Sequence, residues 1–193
     1  MRKFLAVLAF LACGPTWADG GSIPNDGTEP GEVEMIQVQG VGAIDYQRLF
    51  EEVSEPGETM DAFVLRIAPQ LAEYTAASGF EACGAIATDG ERFGVIVGSN
   101  GGHTVCVNFH RRVPDGMTST RQTVHSHTTM KTYRLTATDL LVVGGRPVGS
   151  VQRGGNPERF SDEDYAAPGY VVTGKAVKHQ AGKGTERVIG TLR

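Results

Sequence analysis

The sequence predicts an α+β fold in which N-terminal helices pack on a mostly antiparallel β-sheet. Two patterns carry this expectation. Met60, Phe63, Val64, Ile67, Leu71 and Tyr74 recur at offsets of 3, 4, 7, 11 and 14 residues, one face of a helix. After Gly79 the period changes to short alternating or continuously apolar runs separated by turn residues, which reads as strands. Helices followed by strands, with no internal repeat, indicate α+β rather than alternating β/α units. With 193 residues, 40% of them hydrophobic, the chain can build one core but not two large ones.

The elements follow in order. Residues 4–13 are apolar, Arg2 and Lys3 precede them, and Thr16-Trp17-Ala18 follows with small residues at the positions a signal peptidase reads. Residues 1–18 are therefore expected to be a signal peptide, and the mature protein to be exported, periplasmic or secreted. Ten apolar residues fall short of the roughly 20 that a membrane-spanning helix needs. Lipoprotein anchoring at Cys13 fits less well, because Phe10-Leu11-Ala12 is a poor lipobox. Residues 19–40, rich in Gly, Pro and acids, read as a disordered acidic linker that cannot repay its ordering entropy by burial. Residues 41–193 then form a single domain. A short helix is expected over 41–53, ended by Pro56-Gly57, and a second from Met60 to Gly79, kinked or split at Pro69. Strands are expected over 83–88, 93–98, 104–109, 122–127, 170–173, 175–179 and 188–192. Residues 128–159, rich in Gly, Thr and Arg, resist assignment.

The formal charge is −4, so no basic surplus points to a nucleic-acid partner. Its distribution is uneven. Residues 19–58 hold ten acids and one base, a net of −9, while residues 59–193 hold twelve acids and fifteen bases, a net of +3. The acidic arm either lies on the body or is solvated. The arginines at 111, 112, 121, 134, 146, 153 and 159 either attract an acidic substrate or balance that arm. Cleavage of the leader leaves Cys83 and Cys106, an even pair in a compartment that permits disulfides, either bonded or two buried thiols.

Chemistry concentrates in Glu81, His125-Ser126-His127 and two later carboxylates, Asp139 and Asp164. Histidines at i and i+2 of a strand project from one face, so both imidazoles can reach one metal ion. A carboxylate completes three protein ligands and leaves a fourth position for water. In a catalytic zinc site such a water is acidified, and a nearby Glu takes its proton. His103, His110 and His179 have no such partners in sequence and are expected to be surface or hydrogen-bonded residues.

At these residues the chain resembles the bacterial JAB (JAMM/MPN-like) metalloprotease domain family. Glu81-Ala82-Cys83-Gly84-Ala85-Ile86 is similar to its Glu-x-Cys-Gly-apolar segment, His125-Ser126-His127 to its His-x-His, and Ser161-Asp162-Glu163-Asp164 to its Ser-x-x-Asp. The resemblance runs from about Met60 to His179. Its flanking segments look most similar to JAB-like domains of unknown function in secreted bacterial and Rhs-type proteins. It implies a JAB/MPN-like, cytidine-deaminase-like architecture and one zinc held by His125, His127 and Asp164. It also implies Glu81 as general acid/base, Ser161 at the oxyanion, and hydrolysis of peptide or isopeptide bonds in a peptide, protein or cell-wall substrate. Two other readings stand beside it: a catalytically degenerate binding module, and an effector or toxin domain with non-peptidase chemistry.

The sequence departs from the family's pattern in two places. Thr128 stands where many members have Pro, and Ser161 lies far beyond the usual short spacing from His127. Asp139 in Thr136-Ala137-Thr138-Asp139 is therefore a rival third ligand. Asp164 is preferred, because Phe160-Ser161 can cap a turn and a hairpin follows. Residues 128–159 then become an insertion over the site. Ser161 is read equally well as an N-cap for the turn that carries Asp164.

Overall fold

The computed structural model describes residues 31–38 and 42–192. The expected signal peptide, Cys13 and the first part of the acidic linker lie outside the described residues. The described chain forms β1 (Val33–Val38), β2 (Gly42–Val53), α1 (Met60–Ser78), β3 (Cys83–Thr88), β4 (Phe93–Ser99), β5 (Thr118–Ser126), β6 (Thr132–Arg134), β7 (Val151–Arg153), β8 (Gly169–Val172), β9 (Ala176–Gln180) and β10 (Arg187–Thr191). Short 3-10 turns cover Asp139–Leu141 and Glu163–Ala166. Eight strands make one sheet in the order β1-β2-β4-β3-β5-β8-β9-β10, while β6 and β7 pair separately. All neighbours are antiparallel except β5 and β8. The chain is thus α+β with a mostly antiparallel sheet.

Helix α1 begins at Thr59, whose side chain accepts from the Ala62 amide, and ends at Gly79. Gly79 adopts φ 80°, and a Cβ there would lie 2.4 Å from the Met130 sulfur, so both backbone and packing ask for glycine. The helix is one continuous element through Pro69, which is exposed on its outer face. Its inner face buries Phe63, Val64, Ile67, Ala68 and Leu71 against Ile86, Val95, Val97, Val124 and Tyr170 of the sheet. Burying each such side chain contributes about 1.5–3 kcal/mol. No helix among the described residues is long and apolar enough to cross a membrane.

Four expectations are corrected. The described residues contain a single α-helix, and it follows two strands, so the helices are not N-terminal. Residues 42–53 are a strand, not a helix. Ile44, Tyr46 and Arg48 do alternate into the interior, but a register shift between Arg48 and Phe50 breaks the period and leaves Leu49, Phe50 and Val53 at spacings that mimic a helix. Residues 33–38, within the expected linker, form edge strand β1, and Glu34 pairs with Arg112 at 2.5 Å. This part of the acidic arm lies on the body. Residues 104–109 join no ladder: Asn100 Oδ1 accepts the Val107 amide, and Asp139 Oδ1 accepts the Thr104 amide.

Cys83 and Cys106 are disulfide-bonded, with Cα atoms 5.8 Å apart and a sequence separation of 23. The bond ties the start of β3 to the irregular loop before β5. Replacing both cysteines by serine is expected to cost about 3 kcal/mol in folding stability, from the loop entropy returned to the unfolded chain. Urea denaturation of the oxidised protein and the double variant measures it. Equal midpoints would show that the loop is held by its other contacts alone.

Candidate metal centre

Strand β5 delivers the two histidines. His125 lies within it and His127 one residue beyond its end, so both rings leave the same face. Ser126 between them faces inward. Its Oγ accepts from the Ala82 amide at 2.9 Å and lies 2.6 Å from Thr75 Oγ1, while its own amide donates to the Ala82 carbonyl at 2.9 Å. These bonds lock the residue after Glu81 to the middle of the His-x-His segment. Thr75 and Ser126 carry no sequence signal for this role beyond position. Gly84 of the Glu-x-Cys-Gly segment has a packing reason, since a Cβ there would sit 2.5 Å from the Ile96 carbonyl oxygen.

Asp164 returns to the histidines through the β5–β8 connection. Parallel neighbours cannot be joined by a tight hairpin, and the crossover from residue 127 to 168 is the segment that carries Asp164 back. This accounts for the long spacing between His127 and Ser161. Asp164 is the second residue of a 3-10 turn; Ser161 N donates to its Oδ2 at 2.6 Å, and its own amide donates to Ser161 Oγ at 3.3 Å. Ser161 is exposed, and its Oγ holds the Asp164 amide just before this turn, whose N-cap position is Asp162. Gln180, fully buried, donates from Nε2 to the carbonyls of Asp164 and Ala167 at 2.7 and 2.6 Å and anchors the turn on β9. Nothing in the sequence pattern distinguishes Gln180.

The three side chains converge. His125 Nε2 lies 3.1 Å from His127 Nε2 and 3.0 Å from Asp164 Oδ1, and His127 Nε2 lies 3.4 Å from Asp164 Oδ2. These three side chains are close enough together to hold one metal ion between them. His127 Nδ1 donates to the Pro157 carbonyl at 3.0 Å, which fixes the ring with Nε2 facing the group. Burial opposes a charge on His127, yet its hydrogen bond to Asp164 and the charges of Glu81 and Asp164 raise its pKa to about 8. Asp164 is also penalised by burial, but the charge of His125 and hydrogen bonds from both histidines hold it far below the usual carboxylate range.

Glu81 is buried, 6% exposed, and no hydrogen-bond donor among the described residues reaches its carboxyl. Burial is the main cause that lifts its pKa to about 8. The His127 charge opposes this rise, and Asp164 and Asp139 reinforce it. Its backbone is fixed on both sides, by donation to the Gly102 carbonyl at 2.8 Å and acceptance from Ser99 Oγ at 2.7 Å.

Asp139 lies elsewhere, fully buried and paired with His103 Nδ1 at 2.8 Å. It also accepts from the amides of His103, Thr104 and Thr136, at 2.6, 3.2 and 2.9 Å. The His103 ring stacks on Tyr133 with centroids 4.4 Å apart. Of the two rival aspartates, Asp164 stands with the histidines. His110 and His179 are hydrogen-bonded, to Ser119 and Gln122. Comparison with protein-family models, with curated proteins and with solved structures finds no match to this chain.

Proposed function

We propose that the protein is an exported, JAB-like zinc hydrolase that cleaves amide bonds in a peptide or protein. The observation that carries this reading is the convergence of His125, His127 and Asp164 beside a buried Glu81 with no donor of its own. Two imidazole nitrogens and a carboxylate form the donor set that zinc prefers in hydrolases. Zinc held by these residues supplies a water acidified towards a pKa of about 7 and a positive charge for the developing oxyanion.

The chain's own groups do the rest. A carboxylate oxygen of Glu81 takes a proton from the attacking water and passes it to the leaving nitrogen as the carbon–oxygen bond forms and the carbon–nitrogen bond breaks. The burial that raises its proton affinity suits both halves of this transfer. The Pro157 carbonyl holds the His127 ring in place. Ser161 Oγ accepts the Asp164 amide, which leaves its O–H able to donate to substrate.

Elemental analysis of the purified protein is the test. About one zinc per chain is expected, lost in His125→Ala and Asp164→Ala and kept in Asp139→Asn. A folded protein that takes up no zinc on reconstitution would sink the hydrolase reading and leave an interaction module. Zinc lost with Asp139→Asn but kept with Asp164→Ala would reassign the third ligand.

A further inference from the structure

The insertion over residues 128–159 is basic, and its cations have no acidic partners among the described residues. Lys131, Arg134, Arg146, Arg153 and Arg159 are all exposed, and none is paired with a carboxylate among the described residues. Arg134 donates to the Gly149 carbonyl, and Arg146 to Gln152 and the Val151 carbonyl, so their charge is oriented but not neutralised. The insertion's two acids are occupied: Asp139 by His103, Glu158 by Lys178.

The β6–β7 register sorts this charge onto one surface. Thr132 faces Arg153 and Arg134 faces Val151, all exposed, while Tyr133 and Gln152 lie on the opposite face, with Tyr133 buried on His103. Apolar side chains are interleaved with the cations, Val151 being 56% and Val148 60% exposed. Near its end Arg159, with Phe160, Tyr165 and Val188, lines an open cleft of about 350 Å³ beside the turn that carries Asp164; the other charges of the cleft, Lys178 and Arg187 against Glu158 and Glu186, leave it a net of one cation. Both ends of the insertion are anchored at His127, by sequence at Thr128 and by the Pro157 carbonyl.

We infer that this hairpin face and cleft dock an acidic polypeptide segment with interspersed apolar side chains, and so select the substrate cleaved at the adjacent centre. The inference rests on the hydrolase reading for its word substrate. Docking itself requires neither zinc nor turnover. Cations without a carboxylate partner among the described residues attract carboxylates, the exposed valines and the aromatic cleft take apolar side chains, and both ends of the insertion adjoin His127. Anionic lipid and nucleic acid also carry negative charge, but single exposed valines interleaved with single cations match a polypeptide of mixed acidic and apolar side chains better than either.

The test measures binding on the full-length Glu81→Gln protein, which separates docking from catalysis. The probe is a labelled twelve-residue peptide of Glu and Leu, followed by fluorescence anisotropy at two salt concentrations. Binding is expected, weakened by salt and weakened about tenfold or more by combined Arg134→Glu and Arg153→Glu, exposed positions that leave the core untouched. A Lys-for-Glu version of the peptide is expected not to bind. Equal affinity for the acidic peptide before and after charge reversal would overturn the inference, as would absence of binding. Tighter, charge-dependent binding to phosphatidylglycerol vesicles, to polyuridylate or to a peptide of residues 19–30 would overturn it in favour of that occupant. Zinc content, measured in parallel, reports separately on the hydrolase reading.

Discussion

Glu81→Gln is expected to reduce kcat on a cleavable peptide by about 10²–10⁴-fold while zinc content stays at about one per chain. Glutamine fills the same space in the pocket but cannot take a proton from water. Stability should move in the opposite direction. The buried carboxyl of the wild type has its pKa raised from 4.5 to about 8, so the folded state holds its proton more tightly than the unfolded state does. The folded form therefore loses stability as pH rises from the unfolded value towards about 8, and the neutral amide does not. In chelator-treated protein the variant should be the more stable of the two at pH 8, and the difference should shrink towards pH 4. A variant with full activity would remove Glu81 from the chemistry. A variant less stable at every pH would show that the carboxyl makes a contact that the amide cannot replace.

Asp139→Ala is expected to be the most damaging substitution for stability, costing about 3–5 kcal/mol and lowering Tm by roughly 10 °C. Removing the carboxylate strands three backbone amides, of His103, Thr104 and Thr136, together with the His103 ring nitrogen, in a fully buried position. The same bonds tie the insertion to the disulfide-linked loop between β4 and β5, near whose start the Gly102 carbonyl accepts the Glu81 amide. Burial penalises the Asp139 charge, but bonds from Thr136 and His103 outweigh it and lower its pKa below the usual value of 3.8. Its contribution is thus present above the unfolded value and lost as pH falls through the lower folded value. Thermal melts should show the gap between wild type and Asp139→Ala narrowing below pH 4. A melting temperature unchanged at neutral pH would mean that water replaces the lost acceptor.

Some of this was legible in the residues themselves. The apolar period from Met60 to Tyr74 does form the inner face of α1, and the Asp89-Gly90 turn does separate β3 from β4. The i, i+2 spacing of His125 and His127 does put both rings on one face, since strand geometry alone dictates it. The even cysteine count does correspond to a bond. The bulge between Arg48 and Phe50 hid β2, because one extra residue in a ladder changes the local period and only the partner strand reveals it. Residues 104–109 were hidden for a related reason: their backbone partners are a side chain at Asn100 and a carboxylate at Asp139, both distant in sequence or irregular in geometry.

The sequence by itself determined that the two histidines need a further ligand, for which a carboxylate serves, if they are to hold a metal, because two imidazoles leave a ligand set incomplete. Which Asp does so was decided by tertiary structure. Periodicity reports the face a residue takes along its own strand, but not the order in which strands assemble. Only the parallel pairing of β5 with β8 requires the long crossover that sets Asp164 over His125 and His127 while His103 captures Asp139.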